Sequence, residues 1–148
     1  MTLEVVLRYR TRSPWAPGPA TLRGWARVAA GARSGELGIR VVGTAESRAL
    51  NQRYRGKRAP TNVLSFPMQA GIGRASAIIG DIVVCAPLVA REAREQGKTL
   101  RAHWAHMVIH GTLHLLGFDH QGARAARRME GHERRLLAGL GFGDPYGE

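Results

Sequence analysis

Residues 99–116 carry apolar side chains around almost the whole circumference of a helix: Leu100, Trp104, Met107, Val108, Ile109, Leu113, Leu115 and Leu116. A helix with only one wet side would show a polar stripe along its length, so this one must be enclosed by other elements. No uninterrupted apolar stretch approaches twenty residues, which excludes a membrane span as the reason for its composition. The rest of a 148-residue chain therefore has to wrap around a central helix.

The flanking segments show what can do the wrapping. Residues 3–9 alternate loosely as a strand, and residues 13–19, rich in proline, form an irregular connection. Thr21 is positioned to cap a helix over residues 22–33, with Leu22, Trp25, Val28 and Ala29 on one face. Residues 38–43 read as a short strand, and Thr44 as the cap of a helix reaching about Tyr54. A strand over residues 62–67 ends at Pro67, and its next pairing is expected to be antiparallel with the apolar strand 78–85. Between them, Gly71 to Ala75 reads as a loose loop. Pro87 opens a helix to Gln96 that Gly97 closes. The last helix, about 124–140, turns Met129, Leu136 and Leu140 inward and Arg124, Arg127, Arg128 and Arg135 outward. Four strands and about five helices in this order predict one α+β domain spanning residues 1–148, a size that buries a core without disulfides.

The central helix also carries histidines at 103, 106, 110 and 114, which fall within a sector of about 80°. Two imidazoles four residues apart can reach one ion. Gly117 can adopt the left-handed conformation that stops the helix and reverses the chain, letting His120 return as a third ligand. Three neutral nitrogens with an open fourth position are the arrangement of a catalytic zinc. Helix geometry by itself leaves the ligand set open, because His103 and His106 share the face; each read singly is a core histidine hydrogen-bonded to backbone.

Gly111 stands where the His-Glu-x-x-His metallopeptidases place their general base, so peptide hydrolysis lacks its expected residue. Glu130 and Glu133 read as partners of neighbouring arginines, Glu130 with Arg134. Asp119 reads as a turn residue, and Asp81, interrupting an apolar strand, as the site of a structural hydrogen bond. Neither Thr61 nor Ser65 sits in a recognisable nucleophile pattern.

A net charge of +11, nearly all of it from arginine, calls for a polyanionic partner and makes nucleic acid the leading class. Cys85 is the only cysteine, so no internal disulfide can form; its apolar neighbours predict a buried thiol. The N-terminal segment has the wrong pattern for a signal peptide, and a soluble cytoplasmic protein without membrane attachment is expected.

The run His110-Gly111-Thr112-Leu113-His114-Leu115-Leu116-Gly117-Phe118-Asp119-His120 resembles the signature of the YbeY endoribonucleases, the bacterial rRNA maturation factors. Further blocks resemble that family in the same order: residues 50–57, residues 60–67, residues 80–85, and residues 140–146 at the end. The resemblance implies a small mixed sheet and a zinc ion, one per chain, held in a cleft by His110, His114 and His120. It implies cleavage of single-stranded RNA in rRNA maturation, notably at the 3′ end of 16S rRNA, and in ribosome quality control, with the ribosome or its assembly intermediates as partner. Arg55 carries over as a functional arginine, so the expected catalytic residues are Arg55 and His110. The chain departs from the family at Arg58-Ala59, where an acidic residue is usual; the change adds positive charge beside Arg55. A competing reading is a non-catalytic rRNA-binding assembly factor with a structural metal; a metallopeptidase is weaker still. The choice of attacking group, the oligomeric state and selection of zinc over nickel or cobalt stay open at this level.

Overall fold

The computed structural model describes residues 3–68 and 78–147. In β1 (Leu3–Tyr9), Leu3, Val5 and Leu7 alternate with the more exposed Glu4, Val6 and Arg8, so one face of the strand is apolar. Helix α1 (Pro19–Ala30) carries the chain back to β2 (Gly35–Val42), which pairs with β1 in parallel. After α2 (Thr44–Arg55) come β3 (Val63–Pro67) and β4 (Ile78–Cys85), then α3 (Ala86–Gln96), α4 (Leu100–Leu115) and α5 (Ala123–Gly139). The sheet order is β1-β2-β4-β3; β4 runs parallel to β2 and antiparallel to β3. The expected α+β class, the mixed four-stranded sheet and the antiparallel β3–β4 pairing are all present.

The register decides which residues face the central helix. Ile39 pairs with Ile82 and Val41 with Val84, and this face joins Leu22 and Trp25 of α1 and Trp104, Val108 and Ile109 of α4 in the main core. The opposite face holds a smaller cluster of Val42, Leu64, Val83 and the buried Cys85, covered by Leu50 and Leu88. Eleven residues of α4 are buried, as a helix enclosed by the sheet and by α1, α3 and α5 requires. Its first turn is capped by Thr99, whose hydroxyl accepts the Ala102 N–H at 3.1 Å.

Gly111 sets how closely α4 lies on the sheet. A Cβ at this position would stand 3.0 Å from Cγ2 of Ile82 and 3.1 Å from Cγ2 of Val63. The Ser65 hydroxyl donates to the Gly111 carbonyl at 3.0 Å across the same contact. Position 111 therefore faces the sheet and could present no base to a cleft.

Several expectations need correction. Helix α1 begins at Pro19 with Gly18 as its cap, so Thr21 lies inside the first turn, and Ala26 and Ala30 replace the exposed Val28 on the buried face. Proline at the first helical position has its φ already set, which outweighs a threonine cap two residues later. Gly43, not Thr44, caps α2. On α5 the fully buried line is Met129, Glu133 and Leu137, while Leu136 and Leu140 are half-buried; the named arginines do face outward. Asp81 is exposed, lying over Gly38 where no Cβ stands in its way, so it is not a buried polar group. The loop expected at Gly71 to Ala75 lies outside the described residues. Among the described residues no helix is long and apolar enough to cross a membrane.

Candidate metal centre

Gly117 ends α4 as its position suggested. Its φ of +104° is open to glycine, and the Phe118 N–H returns to the Leu113 carbonyl at 3.1 Å, turning the chain back along the helix. Phe118 stacks on His132 of α5 with ring centroids 5.1 Å apart, which pins the turn. Asp119 forms a local turn by accepting the Gln121 N–H at 3.1 Å. His120 is thereby returned to His110 and His114, with ring centroids 5.7 and 5.0 Å away.

One nitrogen from each of these three imidazoles lies within 4.8 Å of the others. Nitrogens this close can converge on one zinc-sized ion, whose imidazole ligands stand about 2.0–2.1 Å from it. Burial, followed by the neighbouring His110 and His120, pushes the His114 imidazole below its ordinary value, keeping it neutral with a lone pair to donate. The donor chemistry and the spacing both suit a divalent transition metal.

The other two helix histidines point elsewhere. His103 Nε2 meets Glu92 at 2.8 Å, and His106 Nε2 meets Glu133 at 2.9 Å. Both are core histidines held through Nε2 by carboxylates rather than by the backbone carbonyls expected of them, and among the described residues the buried Nδ1 of each has no partner. Burial would raise the Glu92 carboxyl, yet hydrogen bonds from His103 and Asn62 hold it below its ordinary value.

Glu133 is the largest departure from the sequence reading. It is 0% exposed and, among the described residues, pairs with no arginine. One oxygen takes His106 Nε2 and the Tyr146 hydroxyl; the other takes His110 Nδ1 at 2.6 Å. Burial alone would raise its carboxyl, but the hydrogen bonds from His106 and His110 hold it down at about 2. Burial and then the adjacent Glu133 push the Tyr146 hydroxyl upward, so it stays a donor. Burial keeps His106 below its ordinary value, against the pull of Glu133. Arg134, expected to pair with Glu130, instead meets Asp144 at 3.0 Å. The clue in the sequence was spacing: Met129, Glu133 and Leu137 recur every four residues, so the carboxylate occupies a core position.

His110, His114 and His120 line a cleft of about 410 Å³ together with Arg55, Asn62 and Ser65. Arg55 is the last residue of α2, which Gly56 terminates in the left-handed conformation at φ +72°. Two buried residues that the sequence reading passed over fasten the following loop to α2. Asn51 donates to the Ala59 carbonyl at 2.8 Å, and the Ser47 hydroxyl bonds both the N–H and the carbonyl of Thr61 at 3.0 Å. These bonds hold the end of α2 beside β3, and with it Arg55 beside the histidines. Lys57 and Arg58 are exposed in the same loop.

A family model described as Endoribonuclease YbeY matches residues 22–141. The Endoribonuclease YbeY of Alkalilimnicola ehrlichii is 56% identical over 136 residues, covering 88% of this chain and 82% of the relative. That of Halorhodospira halophila is 60% identical over 119 residues, 78% of this chain and 77% of the relative. The solution structure of a Thermotoga maritima protein covers 97% of this chain and 99% of its own, with a TM-score of 0.59 at 22% identity, a likeness of fold alone. With the histidine run, the basic end of α2 and strands β2, β3 and β4 all falling inside the matched region, the chain belongs to the YbeY endoribonuclease family.

Proposed function

We propose that this protein is a zinc-dependent endoribonuclease that cuts single-stranded RNA in the cytoplasm, acting in rRNA maturation at the 3′ end of 16S rRNA and in ribosome quality control. The observation that carries the reading is the shared cleft, which His110, His114 and His120 line together with Arg55. A histidine triad suits the metal, a guanidinium suits the phosphate, and both face the same space.

His110, His114 and His120 would hold the zinc, which when bound would supply positive charge to attract a phosphate and would acidify water at the site. The protein's own residues do the rest. Arg55 donates to the non-bridging phosphoryl oxygens and offsets the charge that grows on them during displacement. Lys57 and Arg58 extend the positive surface along which an RNA backbone can lie, in keeping with the net charge of +11. An unpaired strand can turn a single phosphodiester into a cleft of this size, whereas a duplex holds its backbone in a stacked helix.

Cleavage of a single-stranded RNA ending in the small-subunit 3′ sequence, by protein freed of contaminating nuclease, tests the reading. Replacing His114 by Ala should leave the circular dichroism spectrum unchanged, lower bound zinc from one ion per chain, and reduce cleavage by about 10²-fold or more. A folded His114→Ala protein that cuts as well as the parent removes the metal from the mechanism. Tight rRNA binding by the zinc-loaded parent without any cleavage would favour the assembly-factor reading.

A further inference from the structure

A neutral imidazole has one N–H and one lone pair, and which nitrogen carries the proton is set by what the ring touches. His110 Nδ1 lies 2.6 Å from Oε2 of Glu133. A carboxylate can only accept, so Nδ1 must carry the hydrogen and Nε2 is left with the lone pair. Glu133 is itself held fast. Its other oxygen accepts from His106 Nε2 at 2.9 Å and from the Tyr146 hydroxyl, and no part of the residue is exposed to water. Turning the carboxylate away would strand a buried charge, a far larger cost than losing one surface contact.

The clamp extends into the segment after α5. Asp144 accepts the Tyr146 N–H at 2.8 Å and is paired with Arg134 at 3.0 Å. The Lys98 ammonium, from the start of the α4 region, donates to the Pro145 carbonyl at 2.9 Å. The Tyr146 ring packs edge-on against His106 with centroids 5.3 Å apart. Residues separated widely in the chain thus converge on one carboxylate behind one histidine.

We infer that Glu133 is a positioning residue that fixes His110 in its Nδ1–H tautomer, presenting Nε2 to the metal, and that Tyr146 and His106 lock Glu133 in place. The inference rests on reading His110 as a metal ligand. A carboxylate behind a ligating imidazole also raises the basicity of the coordinating nitrogen, and loss of such a partner typically weakens metal affinity by about 10–100-fold.

The test uses the full chain, with zinc alone as the probe, and nitrogen NMR of the metal-free protein to read the His110 tautomer. Glu133→Met keeps an unbranched side chain of similar size without an acceptor. It should remove the Nδ1–H signature of His110 and raise the zinc Kd by about 10–100-fold. Glu133→Gln, which keeps an acceptor but not the charge, should recover part of both effects. A folded Glu133→Met protein with the parent's tautomer and zinc Kd overturns the inference. Where Glu133→Met does not fold, Tyr146→Phe takes its place: zinc Kd should rise about fivefold, and the His110 Nδ1 proton should exchange faster with solvent. No change in either quantity overturns the locking role. Failure of the parent to bind zinc would instead remove the ligand reading. The tautomer would still decide the positioning role, supported by its loss in metal-free Glu133→Met and overturned by its retention.

Discussion

His110 and Glu133 meet at 2.6 Å, Nδ1 to Oε2, although 23 positions separate them in the chain. The contact joins α4 to α5 and places an anionic group directly behind the histidine triad. Because the carboxylate is fully buried, its charge state is tied to the folded state as a whole.

Acid should therefore destabilise the metal-free protein in a defined window. The folded Glu133 carboxyl sits at about 2 against an ordinary value of 4.5, so the unfolded chain binds the extra proton first as pH falls. Its contribution is fully present above the unfolded value and is lost as pH drops toward 2. His106, which burial holds below 6.5, acts in the same direction from a higher pH, because its unfolded form takes up a proton that the fold resists. The urea midpoint of metal-free protein should fall steadily from about pH 7 to about pH 3, with the lower part of the fall reduced in Glu133→Gln. A midpoint that stays level across that range would contradict this account.

Arg55 is exposed and ends its helix, so its replacement should affect chemistry more than stability. Arg55→Ala is expected to lower kcat on single-stranded RNA by about 10²-fold, with an unfolding free energy within about 0.5 kcal/mol of the parent. Arg55→Lys restores charge without the planar fork and should recover only part of the rate. An unchanged kcat in Arg55→Ala would take this residue out of the catalytic set.

Ser47 and Asn51 do not line the cleft yet hold the loop that follows Arg55. Asn51→Ala removes the bond to the Ala59 carbonyl and should cost about 1–3 kcal/mol, seen as a lower Tm. The same variant should also lose activity at temperatures where it remains folded, since Arg55 is no longer held against β3. Lost stability with an unaltered kcat would mean that the loop contributes nothing to positioning.

Gly111→Glu would recreate the metallopeptidase spelling His-Glu-x-x-His. The added side chain would start 3.0 Å from Ile82 and 3.1 Å from Val63, on the sheet side of α4. We expect destabilisation of about 3 kcal/mol or more, or insoluble protein, and no peptidase activity. A soluble variant that hydrolyses peptides would show that position 111 can reach the cleft.

The elements and the convergence of three histidines were legible in the chain because local rules govern them, although spacing left His103 and His106 open and the choice of His110, His114 and His120 rested partly on the family resemblance. An apolar circumference marked α4, the four-residue spacing aligned His110 with His114, and Gly117 marked the reversal that returns His120. Helix starts were less legible, since Pro19 and Thr21 are both acceptable near a first turn and only the observed backbone distinguishes them. Glu133 was misread because a carboxylate among arginines normally belongs at the surface.

By itself, then, the sequence determined an α+β chain with an enclosed helix, a histidine-bearing face along it and a turn that returns His120 to its end. Spacing along one helix and one turn is a property of the backbone, independent of what packs around it. Tertiary structure alone decided that Arg55 shares a cleft with those histidines, that Ser47 and Asn51 fasten the loop that follows it, and that Glu133 stands behind His110. Each of these depends on how separate elements pack, with Gly111 setting the closeness of α4 to the sheet, and on the demand of a buried charge for partners that only the assembled fold brings together.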